Sequence, residues 1–306
     1  MRVRSATASA PASIGNVCVG FDTLDQALHA ARDVVTAVRE DKPGVRLAGV
    51  TGLVTKLPAK PEANTALAAA AAVLKAAGSP FGLRLSIEKG VPLAAGMGGS
   101  AASAVAGAGA ANALLGGLFR VEELLPFALE GERVASDPPH WDNVMASLLG
   151  GLVLAASEDP ALVRRLPAPD GIVAVVLHPD VKVETRMARS ILSPQVPMEI
   201  AVEHSRRVAA FVAGCATRDL DLLRAGFEDM LVEPQREHLL PILPEVKAAA
   251  LGAEALGCSF SGSGPSVFAW ALEADARAVE AALAAAFASA QLSATAYRAP
   301  LTSEGV

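Results

Sequence analysis

Residues 81–89 read FGLRLSIEK, with Leu83, Leu85 and Ile87 separated by polar positions. A period of two sets those three side chains on one face, which predicts a half-buried strand. Residues 45–54 read as strand with a glycine break. The pattern changes at 64–77, NTALAAAAAVLKAA, where alanine favours helix and Gly78 stops it. Helices are also predicted over about 100–115 and 121–135. The second of these opens on Glu122 and Glu123, which suit the positive end of a helix dipole. A polar loop at 136–143 leads into an apolar segment that ends at Gly150 and Gly151, and 156–170 reads as a connection. Residues 172–177 form a continuous apolar strand pattern. Helical patterns follow at 199–213, 219–230 and 245–256, then a strand at 266–272, a helix at 274–288 and a last strand at 293–297. No internal repeat is visible. This order implies an α+β fold with an N-terminal domain over 1–155 and a C-terminal domain over 156–306.

Composition narrows the function classes. The chain has 306 residues, 52% hydrophobic and 19% charged, enough for a substantial core. Aromatic residues are only 4%, so close packing through alanine is expected. A net charge of −6, with no basic cluster, argues against a nucleic-acid surface. Cys18, Cys215 and Cys258 lie far apart without a CxxC pair, which excludes a sequence-evident zinc site or disulfide framework and leaves them as buried apolar residues. The N-terminal MRVRSATASAPASIGN has no apolar stretch behind its arginines, unlike a secretory signal. The alanine runs are broken before they reach the roughly 18 apolar residues of a membrane span. The expected setting is the cytoplasm, with no membrane or nucleic-acid partner.

Residues 92–103, PLAAGMGGSAAS, lie between a predicted strand and a predicted helix. A helix start presents unpaired N–H groups and partial positive charge, and glycine lets a phosphate approach them. A purely structural turn is the competing reading. A Walker A loop needs Lys and Ser/Thr after its last glycine, and Gly99 is followed by Ser100 and Ala101. A dinucleotide fingerprint fits Gly96, Gly98 and Ala101, but helical sequence stands where the next strand and its acidic residue belong.

The same stretch resembles the ATP loop of the GHMP kinases, Pro-x-x-x-Gly-Leu-Gly-Ser-Ser-Ala-Ala, with Met97 for Leu and Gly99 for the first Ser. Residues 11–22, PASIGNVCVGFD, resemble the family's first motif in the form its homoserine kinases carry, with Cys18 where Gly is usual. FSGSGPS at 260–266 resembles the third motif. Asp142-Asn143-Val144 after His140, the 183–189 stretch ending Ala188-Arg189, and Glu233-Pro-Gln-Arg236 resemble three further segments of that branch, all in the family's order.

The resemblance implies two α+β domains, the first like ribosomal protein S5 domain 2 and the second ferredoxin-like, with ATP and substrate meeting between them. It implies ATP-dependent phosphorylation of the L-homoserine hydroxyl, a step toward threonine. A zwitterionic substrate needs a cation for its carboxylate and an anion for its ammonium. By resemblance these are Arg189 and Arg236 for the carboxylate and Asp22 for the ammonium, with Asn16 and Asn143 as amide partners. Leu93, Ala94, Ala95, Gly96, Met97, Gly98, Gly99, Ser100, Ala101, Ala102 and Ser103 would wrap the ATP phosphates. Asn64 and Thr65 would lie near the adenine, although both also suit helix caps. Ser100 and Glu132 would hold Mg2+, with Glu130 two residues from the assignment. Asn143, Arg189 and Asp142 are the candidate catalytic residues. Phosphoryl transfer relies chiefly on positioning and charge neutralisation, so direct attack by the hydroxyl without a base is the expected mechanism. His140 reads as a structural loop histidine. A mevalonate-type kinase of the same family and a non-catalytic nucleotide-binding homologue are the alternatives, and a homodimer is an open expectation.

Overall fold

The computed structural model describes residues 4–79, 81–159 and 161–306. Its first half is built on a long antiparallel pair, β1 (Ser5–Gly15) and β2 (Leu24–Glu40), followed by β3 (Val45–Gly52). Then come α1 (Thr65–Ala76), β4 (Gly82–Lys89), α2 (Gly99–Leu114), α3 (Leu125–Glu132), α4 (Trp141–Leu149), β5 (Leu152–Glu158) and β6 (Ala161–Leu166). The second half runs β7 (Ile172–Pro179), α5 (Thr185–Ser190), α6 (Met198–Thr217), α7 (Leu220–Gly226), α8 (Glu233–Arg236) and α9 (Leu243–Gly252). It ends with β8 (Gly257–Phe260), β9 (Val267–Leu272), α10 (Ala276–Ser289) and β10 (Ala294–Pro300).

Two sheets result. The six-stranded sheet has the order β3-β4-β2-β5-β6, with β1 also paired to β2, and β3–β4 is its parallel pair. β2 is long enough that its start pairs with β5 at residues 24–26 and its end with β4 at 34–40. The four-stranded sheet is antiparallel in the order β10-β7-β9-β8, the ferredoxin-like arrangement. Between β7 and β8, and between β9 and β10, helices cross back over that sheet. The α+β class expected from the sequence is the class observed.

Local chemistry sets several element ends. Asn64 caps α1, its Oδ1 accepting from the N–H groups of Ala66 (3.1 Å) and Leu67 (3.3 Å). The predicted 121–135 helix is instead a 3-10 turn at Val121–Leu124 followed by α3, because Pro126 has no N–H and suits a first helical turn. The predicted 219–230 helix stops at Gly226. Asp229 then accepts from the amides of Leu231 and Val232 on one oxygen and Glu233 on the other, turning the chain into α8.

Residues 156–170, read as a connection, contain the end of β5 and all of β6. β6 is an edge strand whose Arg164 and Arg165 face outward, and such charged edges look like loops in sequence. The expected division at 155/156 therefore falls inside β5. The chain changes sheet between Leu166 and Ile172.

Alanine-rich α2 is buried along almost its whole length, packed on α1 and β1. A second apolar cluster spans both sheets. It joins Ile14, Leu24, Leu28 and Leu152 to Phe211, Phe227, Phe268 and Trp270. Trp270 Nε1 donates across the same junction to Gln26 Oε1 at 2.8 Å. All three cysteines are buried and free, as their apolar reading requires.

Candidate active site

The glycine loop between β4 and α2 is held from three sides. The Ser13 amide donates to the Met97 carbonyl (3.1 Å), the Ser261 hydroxyl to Gly96 O (2.7 Å) and the Ser266 amide to Ala95 O (3.3 Å). Gly96 has φ +70°, and an added Cβ there would lie 2.4 Å from Ser261 O and 2.6 Å from Gly264 O. The glycines at 96 and 262 thus let the two halves of the chain meet backbone to backbone. Gly98 caps α2 in the left-handed region, φ 62°. The first amides of α2 have no intrahelical acceptor and open toward a cleft of about 640 Å³.

That cleft brings together residues from 16 to 263. Asn16, Asp22, Asn64, Thr65, Glu132, Asp142, Asn143, Arg189 and Arg236 line it. So do Leu93, Ala94, Ala95, Gly96, Met97, Gly98, Gly99, Ser100 and Ser103. Ala101 and Ala102 do not: both are fully buried in the α2 packing face, so the expected 93–103 wrap faces the cleft through residues 93–100 and Ser103. Glu130 pairs with Arg133 on the exposed side of α3 and is not among the lining residues.

At one end the groups are oxygen donors. Ser100 Oγ donates to Glu132 Oε1 at 2.8 Å, while Glu132 Oε2 is buried without a partner. Burying a lone carboxylate oxygen is costly unless something else meets it. A carboxylate and a hydroxyl at a helix start suit a hard divalent cation. His140 Nδ1 lies 3.7 Å from Glu132 Oε1, and this neighbouring carboxylate holds the imidazole pKa above its ordinary value.

Beneath the loop lies a buried cluster that the sequence did not disclose. Lys89 Nζ donates to Asp33 Oδ2, to Gly99 O (2.9 Å) and to Ser103 Oγ (3.0 Å). Asp33 Oδ1 accepts from the amides of Gly90 and Val91, both at 3.1 Å. Lys89 is 2% exposed and borders the cleft, and as half of an ion pair with Asp33 it ties the start of α2 to β2 through Gly99 O. In sequence it falls on the inward phase of an alternating strand, after Leu83, Leu85 and Ile87, and its partner is 56 residues away.

At the other end two guanidinium groups flank the Phe21 ring, with Arg189 Cζ 5.2 Å and Arg236 Cζ 5.3 Å from its centroid. Arg189 makes a two-pronged pair with Asp22 (2.8 and 2.9 Å), which raises the arginine pKa. Arg236 is buried, held by the carbonyls of Ala188 (3.0 Å) and Gly262 (3.2 Å). Burial, and then Arg189, lower its pKa to about 10, still a cation at neutral pH. Asn16, with φ 68°, donates to Gly262 O and accepts from the Asp22 amide. Asp142 is 6% exposed, and burial followed by the Asp22 charge raises its pKa to about 6. Asn143 Nδ2 donates to Asp25, a fully buried carboxylate absent from the sequence expectations. Thr185 lies within a motif noted in the sequence and approaches Ser263 Oγ (3.3 Å) at the cleft wall.

A phosphate-sized loop on a helix start, an oxygen-donor pair and a charged polar end describe a nucleotide-dependent transferase of small molecules. Residues 64–151 match the family model of the GHMP kinases N terminal domain, and 210–289 that of the GHMP kinases C terminal. The chain belongs to the GHMP kinase family and, within it, to the homoserine kinase branch. It is 44% identical to the homoserine kinase of Xylella fastidiosa strain M12 over 98% of this chain and 92% of that one. With the homoserine kinase of Xanthomonas campestris pv. campestris strain B100 the identity is 45%, over 98% and 93%. The crystal structure of homoserine kinase from Cytophaga hutchinsonii superposes with a TM-score of 0.96 at 40% identity, covering 100% of this chain and 97% of that one. The chain is accordingly an ATP-dependent small-molecule kinase.

Proposed function

We propose that the protein phosphorylates the hydroxyl of L-homoserine with ATP, giving O-phospho-L-homoserine. The observation that carries this reading is the pairing of opposite charges at one end of the cleft, Arg189 and Arg236 against Asp22 and Asp142, opposite the amide-rich start of α2. A free amino acid presents both charges. Mevalonate has no ammonium and galactose has neither charge, so this wall discriminates among the family's substrates.

In this reading the first amides of α2 bind the phosphates, and Lys89 braces that helix start from beneath through Gly99 O. Asn64 and Thr65 border the nucleotide side. Mg2+ fits the Ser100–Glu132 pair, whose unpartnered Oε2 is the site's free hard donor. When bound, the ion would neutralise phosphate charge. Arg189 and Arg236 take the substrate carboxylate, which requires Arg189 to share or release Asp22. Asp22, freed in part, turns to the ammonium, with Asn16 and Asn143 as amide partners. The hydroxyl attacks the γ-phosphoryl group directly, ADP leaves as the bridging P–O bond breaks, and the hydroxyl proton passes to phosphate or solvent; orientation with charge neutralisation supplies the acceleration.

ADP release in the presence of ATP and Mg2+ tests the proposal, with homoserine, mevalonate and galactose as alternative acceptors. Turnover with homoserine at kcat/KM at least a hundredfold above the other two is the expected result. Equal or greater turnover of mevalonate would move the chain to another branch of the family. ATP binding without turnover of any acceptor would make it a non-catalytic homologue.

A further inference from the structure

Behind the substrate wall Asp25 is a carboxylate with no ion-pair partner among the described residues. It lies at the start of β2, paired in register with Gly15 of β1 and Val153 of β5, and it is 0% exposed. Its polar contacts are with the Gln26 amide (2.7 Å, on Oδ1) and Asn143 Nδ2 (on Oδ2). A buried carboxylate with neutral donors only is unfavourable for folding, and an apolar residue would serve the core better. Burial first, and then the nearby Asp142, push its pKa well above the usual carboxylate range, while the Asn143 and Gln26 donors pull the other way.

What it does to Asn143 follows from hydrogen-bond chemistry. The Asn143 amide presents its NH2 group to Asp25 Oδ2, a carboxyl oxygen that accepts. The same amide is walled in. A Cβ on Gly15 would lie 3.1 Å from Asn143 Nδ2, and one on Gly98 would lie 3.3 Å from Asn143 Cβ and 3.5 Å from Cγ. With Nδ2 committed to Asp25, the carbonyl Oδ1 is the end left to the cleft that Asn143 lines.

We propose that Asp25 is a positioning residue that fixes the Asn143 amide with its oxygen toward the substrate, so that Asn143 accepts a hydrogen bond from the attacking hydroxyl. The inference rests on the reading of Asn143 as a substrate partner. An acceptor at this place holds the O–H proton and leaves an oxygen lone pair free for the phosphorus. A flipped amide would donate to that lone pair and oppose attack. Asp25 itself touches no reacting atom.

A double-mutant cycle of Asp25→Asn and Asn143→Ala tests this, with kcat and both KM values measured for each enzyme and thermal melting as a check on folding. Asp25→Asn keeps the size of the side chain but offers Asn143 either a donor or an acceptor. It is expected to lower kcat with homoserine about tenfold or more, to leave the ATP KM within twofold, and to leave the melting temperature unchanged or raised. In the Asn143→Ala background the same substitution should have no further effect on kcat. Equal losses in both backgrounds, or no loss in the wild-type background, would overturn the proposal while leaving Asn143 as a substrate partner. If Asn143→Ala alone leaves kcat and the homoserine KM unchanged, the reading of Asn143 fails and the role of Asp25 falls with it. Asp25→Glu, an acceptor one methylene longer, provides a second variant should Asp25→Asn fold poorly. Recovery of at least part of the loss relative to Asp25→Ala, at equal melting temperature, supports the role, and no recovery counts against it.

Discussion

At the scale of single residues, the site is a set of charges held against their preference. Asp142 is the clearest case, with its pKa raised to about 6 by burial and by Asp22. The carboxyl is more easily ionised in the unfolded chain, near its ordinary 3.8, than in the folded one. Folding is therefore penalised increasingly as pH rises from about 4 to 6, and the penalty is constant above that. Replacing Asp142 with Asn should stabilise the protein at pH 7 by on the order of 1–3 kcal/mol, and the gain should vanish below about pH 4, as read by urea unfolding. Function runs the other way. With Asp142 contributing negative charge near the ammonium, the homoserine KM should rise as pH falls through about 6. Asp142→Asn should raise KM about tenfold and flatten that dependence. A loss of many orders of magnitude in kcat with homoserine affinity intact would instead make Asp142 the general base. Arg189→Ala tests the carboxylate partner: it should raise the homoserine KM by tenfold or more while the ATP KM stays nearly constant.

At the scale of elements, the nucleotide loop works because three glycine-bearing segments pack on one another. The loop before α2 lies against the turn between β8 and β9, and that turn lies against the end of β1 through the Gly262 amide and Gly15 O (3.0 Å). A side chain at residue 96 meets backbone, which cannot rotate away. Gly96→Ala should accordingly destabilise the fold by at least about 2 kcal/mol and raise the ATP KM, measurable by thermal melting and initial rates. The loop was legible early as a candidate anion cradle, because strand, glycines and helix in succession leave unpaired amides at a helix start. A structural turn reads the same way, and only the other motifs in order told them apart. The loop's support was not legible: Lys89, Asp33 and Ser103 meet through contacts 14 to 70 residues apart. Periodicity identified β4 closely, since it has a clean face, whereas α1 was read from its alanines and the Gly78 stop, and α2, buried nearly all round, shows no such face. It did not distinguish β2, whose run LDQALHAARDVVTAVRE mixes polar and alanine positions and changes pairing partner along its length.

At the scale of the molecule, the two sheets share a core. The cluster that joins Ile14, Leu24 and Leu28 to Phe211, Phe227 and Trp270 runs beneath the site, and the Trp270–Gln26 hydrogen bond crosses it. Halves with an apolar junction of this kind unfold together rather than in turn. The chain holds two tryptophans, Trp141 in α4 and Trp270 in β9. Variants that keep one each (Trp141→Phe and Trp270→Phe) should give fluorescence unfolding curves that coincide with far-UV circular dichroism of the same variant. Separated midpoints would show independent halves. Among the described residues no helix is long and apolar enough to cross a membrane, in line with the interrupted alanine runs.

Local sequence determined the helix and strand types of most segments, the α+β class and the phosphate-sized loop, because each depends on a few neighbouring residues and one repeating period. Several motifs in order carried the family. Tertiary structure kept the sequence's choice of Glu132 over Glu130 at the cleft, and it alone decided that Ala101 and Ala102 turn away from it and that β5 and β6 complete the first sheet. It alone placed Lys89 under the loop and Asp25 behind Asn143. Burial, charge pairing and the direction of an amide arise only when distant segments meet, and no pattern along the chain encodes them one residue at a time.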